Sequence, residues 1–532
     1  MIRISQIKID AEIKDQTKAL DLKVKKKLKT ERLPDYSIVK KSLDARYKPK
    51  LYYVYTVDVD VSEGMLKASV YKDKQISQSE ITRYVWPEGA IRKDAGQSVN
   101  RPVIVGMGPA GLFCAYMLAH AGCKPLIFER GKPVEDRVRD VETFFNDGIL
   151  NPESNIQFGE GGAGTFSDGK LNTLVNDRFG RSGKVLEIFV KHGAPKHILY
   201  DSKPHIGTDV LRTVVADMRN EIISCGGEIR YEHKLTGVKV HDGYVSALVN
   251  DDLTVDTSAL VLAIGHSARD TYHMLYDMGV SMEVKPFAVG MRVLHSQSII
   301  DSAQYGSACR PSYLPAAAYK LAHRTDDGRN VYSFCMCPGG YVVNASSYND
   351  HTAVNGMSYS GRSGKYANSG IIMGVDTADF GADDVFAGLR FQERLERSAY
   401  ELGRGLIPIQ SLDAYRKGIT DSIHLDRRGL KGGAVEANLN GLLGDTLRDT
   451  FLDGMNRFDK IIPGFGSGDT ILAGVESRTS SPLRITRDKS YEASVPCVYP
   501  CGEGAGYAGG IMSAAMDGMI IAEEIWKKRM IQ

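Results

Sequence analysis

The chain has 532 residues, 42% hydrophobic and 25% charged, and its 67 Lys and Arg nearly balance 65 Asp and Glu for a formal net charge of +2. These are values of an ordinary soluble globular protein, long enough for several domains that each bury a core. No apolar h-region follows Met1-Ile-Arg-Ile-Ser5 and no run of 18 apolar residues occurs, so a secreted or membrane-spanning chain is not expected and a cytoplasmic one is.

Residues 1–97 stand apart. Ile2–Asp10 alternates apolar and polar residues, as a half-buried strand does; Thr17–Leu28 reads as a short basic helix and Leu51–Val61 as a second strand. The first 50 residues carry 15 Lys or Arg against 7 Asp or Glu, which makes a small basic α/β domain. That basic face is chiefly read as a solvated surface or a lid over the next domain. Contact with RNA or another polyanion is the minor reading, since no aromatic-rich RNA-binding signature accompanies it. Arg92–Asn100 is polar and rich in breakers, a linker.

Residues 98–280 open with a short apolar strand, Val103–Val105, running into Gly106, Gly108 and Gly111. A small-residue helix from Pro109 and Ala110 to about Ala121 follows, and a second apolar strand ends at Glu129-Arg130. Gly106 permits the tight turn, Gly108 lets backbone approach a pyrophosphate, and Gly111 lets helix and strand pack closely. The helix N-terminus offers unpaired N–H groups to the phosphates, and Glu129, 23 residues after Gly106, can accept both ribose hydroxyls. Strand, triplet, helix, strand and terminal acid in that order predict dinucleotide binding. A long excursion then holds the Gly-rich loop Gly159–Leu171, whose Gly162, Gly164, Thr165, Gly169, Lys170 and Leu171 are expected to wrap the cofactor. The apolar run Leu260–Gly265 supplies Ala263 and Gly265 beside it.

Residues 281–467 read as an inserted α+β domain that roofs the site, with strands at Tyr341–Ala345 and Ile371–Val375 and a helix from Asp384 to about Leu402. Residues 468–532 return to the cofactor domain. There Val498–Gly518 repeats strand, acid, Gly-rich turn and helix, with Gly502 and Glu503 in the turn and Gly509, Gly510 and Ile511 opening the helix. A nicotinamide domain closes its site within one continuous unit. Three separated segments converging on one cofactor instead match the glutathione-reductase-like FAD class: a late acid reaches the ribityl chain and a helix N-terminus faces the flavin N1/C2 edge. The expected fold is therefore a Rossmann-like (ββα-type) α/β FAD-binding domain carrying the inserted roof and the small N-terminal domain.

The strings Gly159–Leu171, Lys203–Asp209, Gly265–Asp270, Lys285–Gly290, Cys335–Gly340, Gly474–Pro482 and Val498–Gly518 carry a closer resemblance. From about Lys40 onward the chain resembles a family of largely uncharacterised bacterial FAD-dependent dehydrogenases of the NAD(P)/FAD-dependent oxidoreductase kind. The resemblance implies a flavoprotein fold and noncovalent FAD, and no particular substrate.

Flavin itself takes the electrons, so the protein's part is orientation, charge and water exclusion. The candidates for proton transfer or anion binding are Lys170, His205, His266, Arg269, Arg292, Arg478 and Arg484. His205 could act as an acid or base near neutral pH, or be a hydrogen-bonded turn residue. Arg478 and Arg484 bracket Thr479-Ser-Ser-Pro482, a cluster that could grip a carboxylate or phosphate or tie domains together. No second complete strand-GxGxxG-helix unit is present, so NAD(P)H is expected at most as a transient donor in the cleft. The eight cysteines, including Cys335-Met-Cys337, match no structural zinc or cluster spacing and read as small buried thiols; no metal is expected. A small-molecule substrate between the FAD and inserted domains is the leading reading. An RNA-modifying flavoprotein and a noncatalytic redox sensor are the alternatives.

Overall fold

The computed structural model describes residues 1–61, 72–89, 101–306, 310–326, 328–420 and 427–531. The linker expected at Arg92–Asn100 lies outside them.

Short apolar runs followed by glycine turns build a five-stranded parallel sheet, in the spatial order Val498–Pro500, Leu260–Leu262, Val103–Val105, Leu126–Glu129, Glu228–Tyr231. Both faces are covered, which explains why its strands, apart from the half-buried edge Glu228–Tyr231, read as apolar runs. Helices Pro109–His120, Thr208–Ser224 and Ile511–Ile531 pack on one face. A three-stranded antiparallel meander, residues 235–257, contributes Val238, Val245 and Ala247 to the core on the other. Helix Pro109–His120 has ten buried residues, as a helix apolar all round must. It meets the C-terminal helix backbone to backbone: a Cβ on Gly518 would lie 2.1 Å from the Ala110 carbonyl oxygen.

The second body is a seven-stranded sheet in the order 322–324, 330–337, 366–375, 287–296, 471–476, 407–411, 434–436, antiparallel except for its last pair. Helices Ala387–Gly403 and Asp445–Asp459 bury their apolar stripes against it. Here the structure departs from the expected boundary at 467/468. Strand Ile471–Glu476 pairs with Phe287–Ser296 and Ile407–Ser411, so the insertion continues past it. Leu483–Ile485 then pairs with Met282–Val284 as a two-stranded neck, and the chain rejoins the parallel sheet at Val498. A continuous apolar run signals burial but not which sheet will bury it.

The N-terminal domain is an antiparallel sheet of Tyr36–Asp44, Tyr52–Val59, Ile2–Asp10 and Ile76–Gln78, covered by helix Gln16–Leu28 through Leu20, Val24 and Leu28. Strand Tyr36–Asp44 escapes sequence reading because Lys40-Lys41 interrupts its alternation. This strand is stitched to the main body: Lys41 N–H donates to the Tyr200 carbonyl (2.7 Å) and Ser202 N–H to the Lys41 carbonyl (2.8 Å). None of the described helices is long and apolar enough to cross a membrane.

One buried histidine makes the seven-stranded sheet acid-sensitive. His295 is 3% exposed, donates from Nε2 to the Phe465 carbonyl (2.8 Å), and burial pushes its imidazole down to about 4. The unfolded chain, with a histidine near ~6.5, then binds more protons than the folded one between those values, so stability falls as pH drops through that window. Denaturant unfolding of wild type and His295→Gln at pH 7 and pH 4.5 should show the variant losing less on acidification, by about 1–3 kcal/mol. An equal loss in both proteins would remove His295 as a source of the slope.

Candidate active site

A cavity of about 350 Å³ lies at the carboxyl ends of the parallel strands, where the residues following Val105, Glu129, Leu262 and Pro500 converge under the seven-stranded sheet. Ligands collect at such strand ends because the turns there present free backbone groups.

The first wall is the Gly106–Gly111 turn. Gly106 has φ +95°, and a Cβ there would sit 2.3 Å from the Ala263 carbonyl oxygen. Gly108 packs directly against Gly162, where a Cβ would lie 2.8 Å from Gly108 Cα, and Pro109 and Ala110 begin the helix beneath it. Gly111 is turned away from the cavity; a Cβ there would be 1.9 Å from the Gly106 carbonyl oxygen, which is the close packing its position requires. Glu129, 4% exposed, lines the cavity and binds the turn together: Oε2 accepts from Met107 N–H (2.7 Å), Oε1 from Gly131 (2.9 Å) and Gly159 (3.0 Å). Arg130 also lines the cavity. Asp270 takes its guanidinium at 3.0 Å twice, Glu153 at 2.7 Å, and the group lies 4.0 Å over the Phe158 ring.

The second wall is the Gly-rich loop, and one side chain holds it. Arg137, fully buried, donates to five backbone carbonyls: Asn155 (2.8 Å), Ile156 (2.8 Å), Gly159 (3.2 Å), Glu160 (2.6 Å) and Gly162 (3.0 Å). Burial lowers its affinity for the proton to about 9, opposed by Glu129 and Glu160, so it stays charged at neutral pH. Sequence reasoning missed this residue. The signal was available: Val134, Arg137, Val141 and Phe144 form the buried stripe of one helix, and an arginine on an apolar stripe needs a partner.

The third wall is the late turn. Glu503 faces the cavity and accepts from His266 Nδ1 at 2.8 Å. Gly265, Gly509 and Gly510 line it with nothing within 4 Å of where a Cβ would be, and Ile511 opens the following helix against Gly164. Open space at three glycines, a buried acid at one end, a second acid at the other and two helix starts between them are groups that fit FAD.

The fourth wall carries charge. Asp168, fully buried, accepts from Lys170 Nζ (2.9 Å), Arg362 Nε (3.2 Å) and the Ser358 hydroxyl. Burial favours a neutral Lys170, but Asp168 outweighs it and raises its proton affinity above the ordinary lysine value. The Lys170 side chain is 36% exposed, into the cavity, and donates to the Met336 carbonyl. Cys335 stands beside it in the lining.

Several expected contacts lie one layer back. Thr165 is buried beneath the loop, where its carbonyl accepts from the Thr208 hydroxyl; Leu171 joins the helical core; Gly502 donates its N–H to Asp517 (2.7 Å). None of the three lines the cavity, because successive residues of a tight loop point alternately inward and outward. His205 is also behind the wall, bridged through backbone to Lys170. Burial, with Arg362 adding to it, pushes its imidazole down to about 4, so it is neutral where an acid would be needed. Arg478 does reach the cavity, but Glu396, fully buried, takes its guanidinium at 2.9 and 2.8 Å and Arg269 at 2.9 Å, while Arg478 Nη1 reaches Ser267 Oγ at 3.3 Å. That arrangement is a tie between domains. Arg484 pairs with Glu283 at the neck (2.8 Å), and Arg292 lies inside the seven-stranded sheet against Glu476 (2.7 Å).

Residues 286–479 match the family described as FAD-dependent protein, C-terminal domain-like, and residues 1–60 match a domain of unknown function. An uncharacterised protein of Clostridium beijerinckii is 42% identical over 99% of both chains. Thiamine thiazole synthase of Saccharolobus islandicus is 48% identical over 60 residues, which is 11% of this chain and 22% of that protein. Among solved structures, the amino acid oxidase NikD of nikkomycin biosynthesis has a TM-score of 0.37 at 12% identity, covering 81% of this chain and 95% of its own. Glycine oxidase from Geobacillus kaustophilus has a TM-score of 0.36 at 10% identity, covering 80% and 94%.

Arg137→Lys tests the loop. An ammonium has three donors, so at least two of five carbonyls lose theirs, at about 1–3 kcal/mol each. The variant should melt earlier and release FAD together with that loss. Glu129→Ala should weaken FAD about 10- to 150-fold, the equivalent of roughly 1.5–3 kcal/mol. Thermal unfolding and retention of flavin through dialysis read both; wild-type retention in both variants would show the fingerprint misassigned.

Proposed function

Because the chain belongs to a family of FAD-dependent proteins, with a full-length relative in Clostridium beijerinckii, we propose that it is an FAD oxidoreductase acting on a small molecule admitted beside Lys170. The observation that carries this reading is the convergence of three separated glycine turns on one cavity whose remaining wall presents a charged lysine. FAD, when bound, supplies two-electron chemistry, and the chain's residues supply placement and charge. Glu129 would hold the adenosine ribose, and Gly108 and Gly162, packed side by side without side chains, would offer backbone to the pyrophosphate. Glu503, oriented by His266, takes the ribityl hydroxyls. The start of helix Ile511–Ile531 directs its positive end at the flavin edge that gains charge on reduction.

Lys170 keeps its proton at neutral pH and is open to the cavity, which suits it to hold an anionic group of the substrate. Arg478 does not serve in that role, since its side chain is only 5% exposed and Glu396 takes it at two nitrogens. Among the described residues there is no second strand-turn-helix unit for a dinucleotide, so NAD(P)H would reduce the protein from transient occupancy of the same cavity. The N-terminal sheet is hydrogen-bonded to residues 200–202, which supports reading it as a wall of the catalytic body rather than an RNA-binding arm.

The purified protein should show the two visible bands of oxidised flavin, and heat should release FAD and not FMN. Lys170→Met should keep the flavin while raising KM for an anionic substrate at least about tenfold, the loss of one charge-assisted hydrogen bond. The assay is an anaerobic optical titration with NADH, NADPH and metabolite libraries. A folded full-length protein that stays colourless in added FAD would end this reading.

A further inference from the structure

The wall opposite the glycine turns contains two cysteines that the chemistry above leaves unused. Strand Asn330–Cys337 is bulged between Phe334 and Cys337, and Cys335 sits in the bulge with φ +40°. Two residues of fully extended chain span about 7 Å at most, close to the ~4.4–6.8 Å a disulfide accepts between Cα atoms, and the Cys337 thiol already turns back to the Cys335 carbonyl. Cys335 lines the cavity; Cys337 is fully buried behind it and donates its thiol proton to the Cys335 carbonyl at 3.2 Å.

Two cations grip this turn. Lys170 donates to the carbonyl of Met336, between the cysteines. Arg292 donates to the Cys335 carbonyl at 3.1 Å, and the same nitrogen lies 3.9 Å from Cys337 Sγ. Around the pair stand Lys170, Arg292 and Arg362 against Asp168 and Glu476, three cations to two carboxylates, with a neutral His205 behind. One positive charge is left unmatched, and a thiolate at the cavity surface balances it. Buried structural thiols need no such setting; low-pKa, redox-active cysteines do. The Cys337 thiol, together with Lys170 and Arg292, holds Cys335 well below the ordinary thiol value despite its burial, while burial keeps Cys337 protonated.

We propose that Cys335 and Cys337 are a second two-electron centre, a dithiol that closes to a disulfide by passing its electrons to FAD in the cavity and reopens by exchange with a small thiol. The step balances. The Cys335 thiolate and Cys337 thiol form one Sγ–Sγ bond and give up two electrons and the Cys337 proton. Oxidised flavin takes both electrons, that proton and one from solvent. Two molecules of external thiol then reduce the disulfide, leaving as their own disulfide. The proposal rests on the FAD reading above and names the substrate class of that site as thiols.

The test uses the full-length holoprotein. Anaerobic dithionite titration should take four electrons per flavin in the wild type after exposure to oxidised glutathione, and two in Cys335→Ser and in Cys337→Ser. In parallel, the full-length wild type as purified is equilibrated with glutathione buffers, blocked with a maleimide and weighed. The two thiols should disappear together, and peptide mapping should link residue 335 to residue 337. Two electrons per flavin in the wild type, with both cysteines blocked at every glutathione ratio, would overturn the proposal while leaving FAD binding intact. Failure to bind FAD would end the oxidoreductase reading, and the mass measurement would still decide whether the pair closes.

Discussion

A buried loop must find donors for its carbonyls, and the glycine loop of this protein finds five of them on one guanidinium. Arg137 fixes the carbonyls of residues 155–162 from below, which leaves the loop's other face free for a ligand. Gly159 is the counterpart: a Cβ there would lie 2.4 Å from Arg137 Cδ, so side chain and glycine require each other. Glu129 adds the second constraint by joining the loop, through Gly159 N–H, to the first turn, through Met107 N–H. Two charged residues from adjoining elements thus set the width of the cleft before any ligand enters.

Elsewhere the same device recurs with carboxylates as the hubs. Glu396 gathers Arg269 and Arg478, Asp168 gathers Lys170 and Arg362, and Asp517 gathers Arg487 while holding the Gly502 turn. Each hub draws on residues far apart in the chain. Burying such groups is costly unless every partner is present, so the network favours one arrangement of the bodies over near alternatives. It also explains why so few of the cavity's cations are free to meet substrate: most are already committed to architecture, and Lys170 keeps one face open.

The cofactor turns were legible because each requirement falls on a residue type with few substitutes: glycine where a Cβ would collide, an acid at a strand end, small residues where helices touch. Positions Gly106, Gly108, Glu129, Gly265, Glu503, Gly509 and Gly510 all line the cleft. What stayed hidden were pairings between distant residues. Nothing local marks Arg137 as the loop's anchor beyond its place on an apolar stripe, and nothing in Ile471–Glu476 says which sheet it joins. The setting of Cys335-Met-Cys337 was hidden for the same reason: its spacing is uninformative, and Lys170 and Arg292 reach it from two other elements. Thr165, Leu171, Gly502 and His205 erred in the opposite direction, because a motif names a loop without saying which side chains turn inward.

The return of the chain at Val498 has a consequence for synthesis. Strand Leu260–Leu262 acquires its outer neighbour from a segment 238 residues later, after the whole inserted sheet has been made. Until then a nascent chain on the ribosome carries an open parallel edge and lacks the helix that covers Ala110 and Cys114, surfaces that invite misassociation. The segment from Val498 through helix Ile511–Ile531 therefore acts as a closing clasp. A chain cut before this segment keeps its inserted domain but loses the third turn lining the cavity, Cys501 to Ala514.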